Sequence, residues 1–286
     1  MATEPAKTDA SAAVNKAVPV VVPAPPATPA PAAAPAKKED SAEKWVKPTG
    51  IPELDFVLDG GLPASSSILL SGDAGAGKTT LAMQWLCAGY SKFKENGIYI
   101  TMTESTITLV RNLKKTSFYD VNYMASSDLT AENFETEIAA RPGIHFVDLR
   151  QIMEGIGLMK AEYTYEDLDF LIDTLFKLFV KSDVKRVVLD SITAVAYLMK
   201  DEAMIRSFIF RFGKLISMSD SNIMLISEAK DEKDSVFGIE EFISDGVIRL
   251  KYGDPENNLP RTLNVKKSVV GIFWLNLFHM EFRKAG

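Results

Sequence analysis

The chain has 286 residues, of which 47% are apolar, enough to form the core of one large α/β domain or two small ones. The net charge of −6 gives no general attraction to nucleic acid, and the single cysteine excludes an internal disulfide. The nearest candidate for a membrane span, residues 17–35, is interrupted by seven prolines, so we expect a cytoplasmic protein with no membrane insertion.

The first part of the chain differs in composition from the rest. Residues 1–40 contain 13 Ala and 8 Pro, and they lack Gly, Phe, Tyr, Trp, Leu and Ile. A segment with so little large apolar surface cannot offset the entropy that is lost on ordering it. We therefore predict that residues 1–43 form a disordered Ala/Pro-rich tail and that residues 44–286 form the folded domain.

Beyond the tail, short apolar runs alternate with segments of helical periodicity. Strands are predicted at 67–71, 97–102, 144–149, 184–190 and 223–227, and helices at 79–93, through Leu109 and Leu113, at 165–181 and around 203–218. This alternation is typical of a mainly parallel sheet that is covered by helices on both faces. The stretch 152–160, which contains two glycines and two methionines, is predicted to be a mobile surface loop.

The pattern changes after Asp245. Three strand-like runs follow at 247–252, 262–267 and 271–282, with no room for helices between them. Turn-forming residues separate the first two runs. We therefore predict a C-terminal antiparallel β meander that is joined to the parallel core. The apolar run that contains Phe273, Trp274 and Phe282 belongs either to the core or to a subunit contact.

The sequence GDAGAGKT, which begins at Gly72, fits the phosphate-loop pattern G-x-x-x-x-G-K-[ST] between a predicted strand and a predicted helix. Glycines allow backbone N–H groups to point at phosphate oxygens, and the helix start adds its positive end. Lys78 is expected to reach the β- and γ-phosphates as a catalytic group, and the Thr79 hydroxyl is expected to bind Mg²⁺. The predicted ATP contacts are Gly72, Asp73, Ala74, Gly75, Ala76, Gly77, Lys78, Thr79 and Thr80.

Acidic residues follow two of the predicted core strands. Asp190 ends one strand and is predicted to hold Mg²⁺, although it could instead cap the helix that starts near Ser191. Glu104 lies just past the second strand and is predicted to polarise the attacking water. The alternative for Glu104 is an ordinary carboxylate that is favoured near a helix start. Ser227 ends a further strand and is a weaker candidate for sensing the γ-phosphate.

The two histidines, His145 and His279, are far apart in the sequence. His145 lies inside an apolar strand, and His279 lies in the terminal aromatic run. A metal site normally needs several ligands that are brought together. We therefore predict that both histidines are packed or edge residues.

With these motifs in place, residues 48–282 resemble the KaiC-like branch of the RecA superfamily. The shared stretches are TGIPELD at 49–55, GGLP at 60–63, GIYITMTES at 97–105, VVLDS at 187–191, LISE at 225–228 and SDGVIRL at 244–250. The resemblance implies a RecA-like P-loop ATPase core that binds ATP and Mg²⁺. It also implies a homo-oligomer with ATP at its subunit boundaries, for which a hexameric ring is one arrangement.

Three features depart from that family's pattern. Thr103-Glu104 stands where the family usually has two adjacent acids, so one candidate base remains. Lys267-Ser268-Val269 lacks the arginine of the usual Lys-x-Arg motif, which implies slow hydrolysis or nucleotide binding that is used as a switch. The family's circadian clock protein has two such domains in tandem and this chain has one, so a clock function does not follow.

Three functions remain open at this point. The first is a KaiC-like ATPase that couples nucleotide state to oligomerisation or to an unknown protein partner. The second is a nucleotide-dependent scaffold with little turnover, such as an archaellum accessory ATPase. The third is a RadA-like recombinase, but residues 229–244 carry five acidic residues against two lysines, which argues against DNA passing there.

Overall fold

A computed structural model shows where the predicted elements lie. It describes residues 45–126, 129, 133–158, 163–181, 184–199, 201–229, 235–238, 240–252, 261–267 and 277–280. All of these residues belong to one unit, Asp40–Gly286. The predicted tail and its boundary at residue 43 lie outside the described residues and stay a prediction.

The apolar runs become β-strands. Within the described residues the strands are β1 Val46–Lys47, β2 Leu62–Pro63, β3 Ser67–Gly72, β4 Gly97–Thr101, β5 Met124–Ser126, β6 Ile144–Asp148, β7 Arg186–Asp190, β8 Asn222–Glu228, β9 Gly246–Lys251, β10 Arg261–Lys267 and β11 Leu277–Met280. The runs that are buried on both faces form the central strands, as is expected when helices cover both sides of a parallel sheet.

The central sheet has the strand order β11-β10-β9-β3-β8-β7-β4-β6-β5 among the described residues. Neighbouring strands from β9 to β5 are parallel, whereas β10 pairs antiparallel with both β9 and β11. The predicted parallel sheet and the predicted meander are therefore confirmed. The residues Ser268, Val269, Phe273, Trp274 and Phe282 lie outside the described residues.

Helices connect the parallel strands. The described α-helices are α1 Pro52–Val57, α2 Lys78–Ala88, α3 Thr106–Leu113, α4 Phe134–Ala140, α5 Leu149–Gly155, α6 Tyr165–Phe176, α7 Ile192–Ala196 and α8 Glu202–Met218. π-Helical turns at Gly89–Phe93 and Lys177–Lys181 extend α2 and α6 to the ends that the sequence predicts. No helix in the described part of the chain combines the length and the apolar character that crossing a bilayer requires.

Short polar side chains fix where several helices begin. The Ser105 side chain accepts a hydrogen bond from the backbone N–H of Thr108 at the start of α3. Thr164 and Asp167 form a reciprocal capping box at the start of α6. Such caps satisfy backbone N–H groups that have no partner within the helix. The helix starts are thus encoded locally, which is why they can be predicted.

Alternate residues of each central strand point to opposite faces of the sheet. In β3, Leu69 belongs to one buried cluster, whereas Ile68 and Leu70 belong to the other. The first cluster includes residues of α5, α6 and α8, and the second includes residues of α1, α2 and α3. The sheet therefore separates two cores, and α2 lies on the same face as α3.

The loop that was predicted at residues 152–160 is wrong in its first half. Ile152 and Met153 are buried in α5, and Leu158 beyond it is also buried. Asp148 caps this helix by accepting a hydrogen bond from the backbone N–H of Arg150 at 3.1 Å. The glycines at 155 and 157 suggested a loop, but tertiary burial of the apolar side chains favours the helix. Residues 159 and 160 lie outside the described residues.

Candidate functional site

The segment Gly72–Thr79 turns from the end of β3 into the first turn of α2. Gly75 and Gly77 have φ angles of +76° and +105°, which L-residues with side chains rarely adopt. The N–H of Ala76 donates to the carbonyl oxygen of Asp73 at 3.2 Å and closes the turn. Gly75 is exposed, so the loop is both curled and open to solvent.

The end of β9 packs against the same loop. A Cβ atom on Gly72 would lie 2.3 Å from the carbonyl oxygen of Leu250, so glycine is required for this close approach. The ring of Tyr252 lies beside Gly75, 3.8 Å from the place of a Cβ on that glycine. The guanidinium carbon of Arg261 lies 5.1 Å from the centroid of the Tyr252 ring. Tyr252 is 52% exposed, so it presents part of a flat ring to solvent beside the loop.

The ammonium group of Lys78 lies against the backbone of the loop. Its Nζ donates to the carbonyl oxygen of Gly72 at 2.7 Å and to that of Asp73 at 2.8 Å. Burial lowers the pKa of Lys78, whereas the carboxylates of Asp190, Glu228 and Asp73 act in the opposite direction. A positive group and several acids are therefore concentrated at the carboxyl ends of β3, β7 and β8.

Asp190 ends β7, and the residue is 9% exposed. Its Oδ2 accepts a hydrogen bond from the Thr79 hydroxyl at 2.9 Å and a second from the Tyr99 hydroxyl. The structure thus brings together the two residues that the sequence assigns to Mg²⁺, although 111 positions separate them along the chain.

The alternative interpretation, in which Asp190 caps the next helix, does not hold. Ser191 is the N-cap of α7, and its Oγ accepts a hydrogen bond from the backbone N–H of Ala194 at 3.0 Å. The side chain of Asp190 makes its hydrogen bonds with Thr79 and Tyr99 instead. Its carboxylate is therefore directed to the loop rather than to the start of α7.

Tyr99 is a site residue that the sequence analysis missed. It is fully buried in β4, and the centroid of its ring lies 6.1 Å from that of the Phe146 ring. Burial, followed by the charge of Asp190, raises the pKa of Tyr99 well above its usual range. The phenol therefore stays protonated and acts as a hydrogen-bond donor. A tyrosine within an apolar strand carries no signal of this role, because its partner is 91 positions away.

The oxygen atoms at this site suit Mg²⁺. Magnesium prefers oxygen ligands, and in nucleotide sites it is held by one or two protein groups together with phosphate oxygens and water. Thr79 and Asp190 offer one hydroxyl and one carboxylate side by side. Within the described residues, no group of three or more histidine, cysteine or acidic side chains could hold a metal ion by itself.

Glu104 follows β4 and precedes the N-cap residue Ser105. The Thr101 hydroxyl fixes this turn, since it donates to the carbonyl oxygen of Glu104 at 2.8 Å. The Glu104 carboxylate accepts a hydrogen bond from the Asn112 side chain at 3.1 Å. Its negative charge also contributes, as the smallest of the causes, to the raised pKa of Tyr99.

Ser227 is the last buried residue of β8, and its hydroxyl has a polar neighbour. Its hydroxyl lies 3.1 Å from the Thr193 hydroxyl, which in turn accepts a hydrogen bond from the backbone N–H of Glu228. Glu228 pairs with Gly72 in the parallel register of β3 and β8. Ser227 is the residue that was predicted from the sequence, whereas Glu228 is the residue of β8 whose negative charge favours the ammonium form of Lys78.

His145 is buried in β6, as predicted. Its Nε2 lies 2.8 Å from the carbonyl oxygen of Arg141. Burial lowers the pKa of His145, so the ring is uncharged near neutral pH. It takes no part in the site described here.

Comparisons with known proteins agree with this arrangement. The family model described as "ATPase: KaiC" matches residues 47–269. The circadian clock oscillator protein KaiC of Prochlorococcus marinus subsp. pastoris is 30% identical over 227 residues, covering 77% of this chain and 40% of that protein. The circadian clock protein KaiC3 of Synechocystis is 28% identical over 221 residues, with the same shares covered. The chain therefore spans about 40% of the length of these relatives.

A solved structure supports the same relationship. The KaiC-like protein PH0186 from Pyrococcus horikoshii matches with a TM-score of 0.64 and 26% identity, covering 82% of this chain and 93% of that one. The strand–loop–helix geometry at Gly72–Thr79 and the parallel sheet agree with this likeness. The family model covers most of the chain, and we conclude that the chain belongs to the KaiC ATPase family of nucleotide-binding P-loop proteins.

Proposed function

We propose that this chain binds Mg²⁺-ATP at residues Gly72–Thr80, hydrolyses it slowly, and uses the nucleotide state to control its association with itself or with a protein partner. The observation that carries this proposal is the curled, exposed loop with the Lys78 ammonium held against it and the Thr79–Asp190 pair at its end. A cytoplasmic location stays a prediction from the composition.

The loop supports binding of the phosphates. The positive φ angles of Gly75 and Gly77 curl the backbone, residues 73–75 are exposed, and the start of α2 adds the partial positive charge of a helix N-terminus. Lys78 has three N–H donors, of which two contact Gly72 and Asp73. The third can therefore donate to a phosphate oxygen, and the ammonium can move from the carbonyls towards the β- and γ-phosphates.

Thr79 and Asp190 are the residues that would hold magnesium. When it is bound, Mg²⁺ supplies positive charge that stabilises the phosphate oxygens of the nucleotide. Thr79 contributes its hydroxyl oxygen, and Asp190 contributes a carboxylate oxygen either directly or through a water molecule. Both residues are held by rigid elements, Thr79 by α2 and Asp190 by β7.

Glu104 is the residue that we propose to orient the attacking water. It follows β4, and Thr101 at the end of β4 pairs with Asp190 in the parallel register. The Thr101 hydroxyl fixes the backbone of Glu104, and Asn112 fixes its carboxylate. A positioned carboxylate of this kind can accept a proton from water as it attacks the γ-phosphate.

The nucleobase has a surface beside the loop. Tyr252 lies against Gly75 and is half exposed, with Arg261 on its ring. Aromatic rings and guanidinium groups stack on nucleobases. We place the base at Tyr252, which fits a nucleotide whose phosphates lie along the loop from Gly72.

A second candidate function is a nucleotide-dependent scaffold with little turnover, of which an archaellum accessory ATPase is one example. The single acid in Thr103-Glu104 favours it, and so does Val269 in place of the family's arginine. In both functions the oligomer, for which a hexameric ring is one form, binds ATP at subunit boundaries. Turnover separates the two.

The proposal is tested by measuring phosphate release and light scattering on one sample with and without Mg²⁺-ATP. We expect slow release and a change of oligomeric mass. Scattering that changes without measurable release would favour the scaffold. Lys78→Ala should abolish nucleotide binding, because the loop loses its one ammonium group.

Lys115→Ala is the matched control for the lysine change. Lys115 is exposed on the turn after α3, where its backbone N–H donates to the carbonyl oxygen of Asn112. The Lys115→Ala protein should therefore bind nucleotide normally. A Lys78→Ala protein with unchanged ATP affinity and unchanged phosphate release would overturn the proposal.

A further inference from the structure

The Tyr99 hydroxyl has no role in packing. The ring is fully buried in the cluster that includes Leu86, Phe146 and Val188. Phenylalanine would fill the same space without bringing a polar atom into it. Burying a hydroxyl is unfavourable unless it is hydrogen-bonded, so the partner of this hydroxyl gives the reason for its presence.

That partner is the carboxylate at the magnesium position. Tyr99 donates to Oδ2 of Asp190, and Thr79 donates to the same oxygen at 2.9 Å. Within the described part of the chain, no hydrogen-bond donor reaches the other carboxylate oxygen, Oδ1. Both protein donors therefore hold one oxygen and leave the second for the metal or for a water bound to it.

The two donors come from different elements, the strand β4 and the helix α2. Tyr99 lies in β4, and Thr101 at the end of the same strand pairs with Asp190 of the adjacent strand β7. Thr79 lies in the first turn of α2. Rotation of the carboxylate about its Cβ–Cγ bond away from this orientation would weaken both hydrogen bonds. Side chains that bind a metal through an orientation fixed in this way lose affinity when the outer partner is removed.

We propose that Tyr99 is a positioning residue for magnesium, because it fixes the orientation of the Asp190 carboxylate and thereby sets the affinity of the nucleotide complex for Mg²⁺. The inference rests on the proposed function of the loop. It adds that the metal carboxylate is held by a buried phenol of the neighbouring strand.

The test uses Tyr99→Phe in the full chain, with a fluorescent ADP analogue as the probe. Its affinity is measured first in EDTA and then over a series of Mg²⁺ concentrations. The affinity in EDTA should stay within about twofold of the wild type, since the loop itself is unchanged. The Mg²⁺ concentration for half-maximal effect should rise about 10- to 100-fold, the usual range for losing an outer partner of a metal ligand.

Tyr163→Phe is the matched control. The Tyr163 hydroxyl is also buried, but its ring packs against the other hydrophobic cluster. It should leave the Mg²⁺ dependence unchanged. In an Asp190→Asn background, adding Tyr99→Phe should cause no further change in the Mg²⁺ dependence, because the carboxylate that the phenol orients is absent.

The outcomes separate the two proposals. Wild-type protein that binds no nucleotide in either condition would refute the function proposed for the loop. Wild-type protein that binds in a Mg²⁺-dependent way, with the half-maximal concentration of Tyr99→Phe within twofold of it, would overturn only the role of Tyr99. A Tyr99→Phe chain that is unfolded at 25 °C would also overturn it, since the hydroxyl would then serve the fold.

Discussion

Charged side chains of both signs crowd the first turn of α2. The Lys78 ammonium interacts electrostatically with the carboxylates of Asp190, Glu228 and Asp73, so acids outnumber cations around it. Metal-free ATP would bring further negative charge to this place. The Mg²⁺ requirement of the proposed site is therefore expected to be strong, because Mg²⁺ offsets the repulsion between phosphates and carboxylates.

At the same scale, Glu104→Gln tests the proposed water-orienting group. Glutamine keeps an oxygen that can accept the Asn112 hydrogen bond, so the turn after β4 should keep its geometry. It cannot accept a proton as a carboxylate does. We expect nucleotide affinity within about twofold of the wild type and phosphate release that falls by about 100-fold or more.

Glu53→Gln serves as the control for this change. Glu53 is exposed on α1 and should tolerate the substitution with normal phosphate release. If Glu104→Gln released phosphate at the wild-type rate, Glu104 would not be the water-orienting group. Hydrolysis would then need a different acid, and Glu228 at the end of β8 would be the next to test.

Between elements, Arg186 joins the segment that precedes α1 to the sheet. The residue is 3% exposed. Its guanidinium donates to the Glu95 carboxylate and to the backbone carbonyls of Pro48, Thr49 and Trp85. These partners come from three segments: the residues just before α1, the helix α2, and the turn before β4. A buried arginine needs this full set of acceptors, since an unpaired charge in the interior is costly.

Gly89 makes room for this arginine, and its substitution is a test of the packing. A Cβ at Gly89 would lie 2.4 Å from Nε of Arg186, which its hydrogen bonds prevent from moving. Gly89→Ala should lower the free energy of unfolding by about 1–3 kcal/mol, the usual cost of overpacking a core. Urea denaturation would show this as a lower midpoint with an unchanged slope.

Gly155→Ala is the control for this substitution. Gly155 ends α5, and a Cβ there would meet no atom within 4 Å. The free energy of unfolding of the Gly155→Ala protein should stay the same or rise by about 0.4–1 kcal/mol, because alanine restricts the unfolded chain. Equal midpoints for the two alanine variants would mean that Arg186 can shift and that its network is loose.

The sequence predicts local features well and distant contacts poorly. The phosphate loop and the start of α6 depend on residues a few positions apart, so their patterns can be seen directly. The contact between Tyr99 and Asp190 spans 91 positions, and that between Arg186 and Thr49 spans 137. No periodicity or motif encodes such pairs. The wrong loop at Ile152 arose in the same way, since the burial of its side chain depends on residues elsewhere in the chain.

For the whole molecule, the position of α2 links nucleotide binding to global stability. The helix begins at Lys78 in the loop and buries most of its length in the core on one face of the sheet. A ligand held at its start binds the folded chain and not the unfolded one. By mass action, nucleotide at 100 times its dissociation constant should add about 2.7 kcal/mol of stability.

Cys87 allows this link to be measured, because it is the only cysteine in the chain and is buried near the end of α2. Burial raises the pKa of its thiol to about 12, so the reactive thiolate is scarce in the folded protein at pH 8. A thiol reagent should therefore label Cys87 only in molecules that have opened. Labelling followed by absorbance should slow about 100-fold when Mg²⁺-ATP is added at 100 times its dissociation constant.

The Lys78→Ala variant separates stabilisation by the nucleotide from direct effects of ATP on the reagent. It should label at one rate with and without Mg²⁺-ATP, since its loop binds no nucleotide. If the wild type binds nucleotide but its labelling rate does not change, then Cys87 is exposed by an opening that leaves the loop intact. The end of α2 would then open independently of its start, and the nucleotide state would reach a partner through β7 and β8 rather than through this helix.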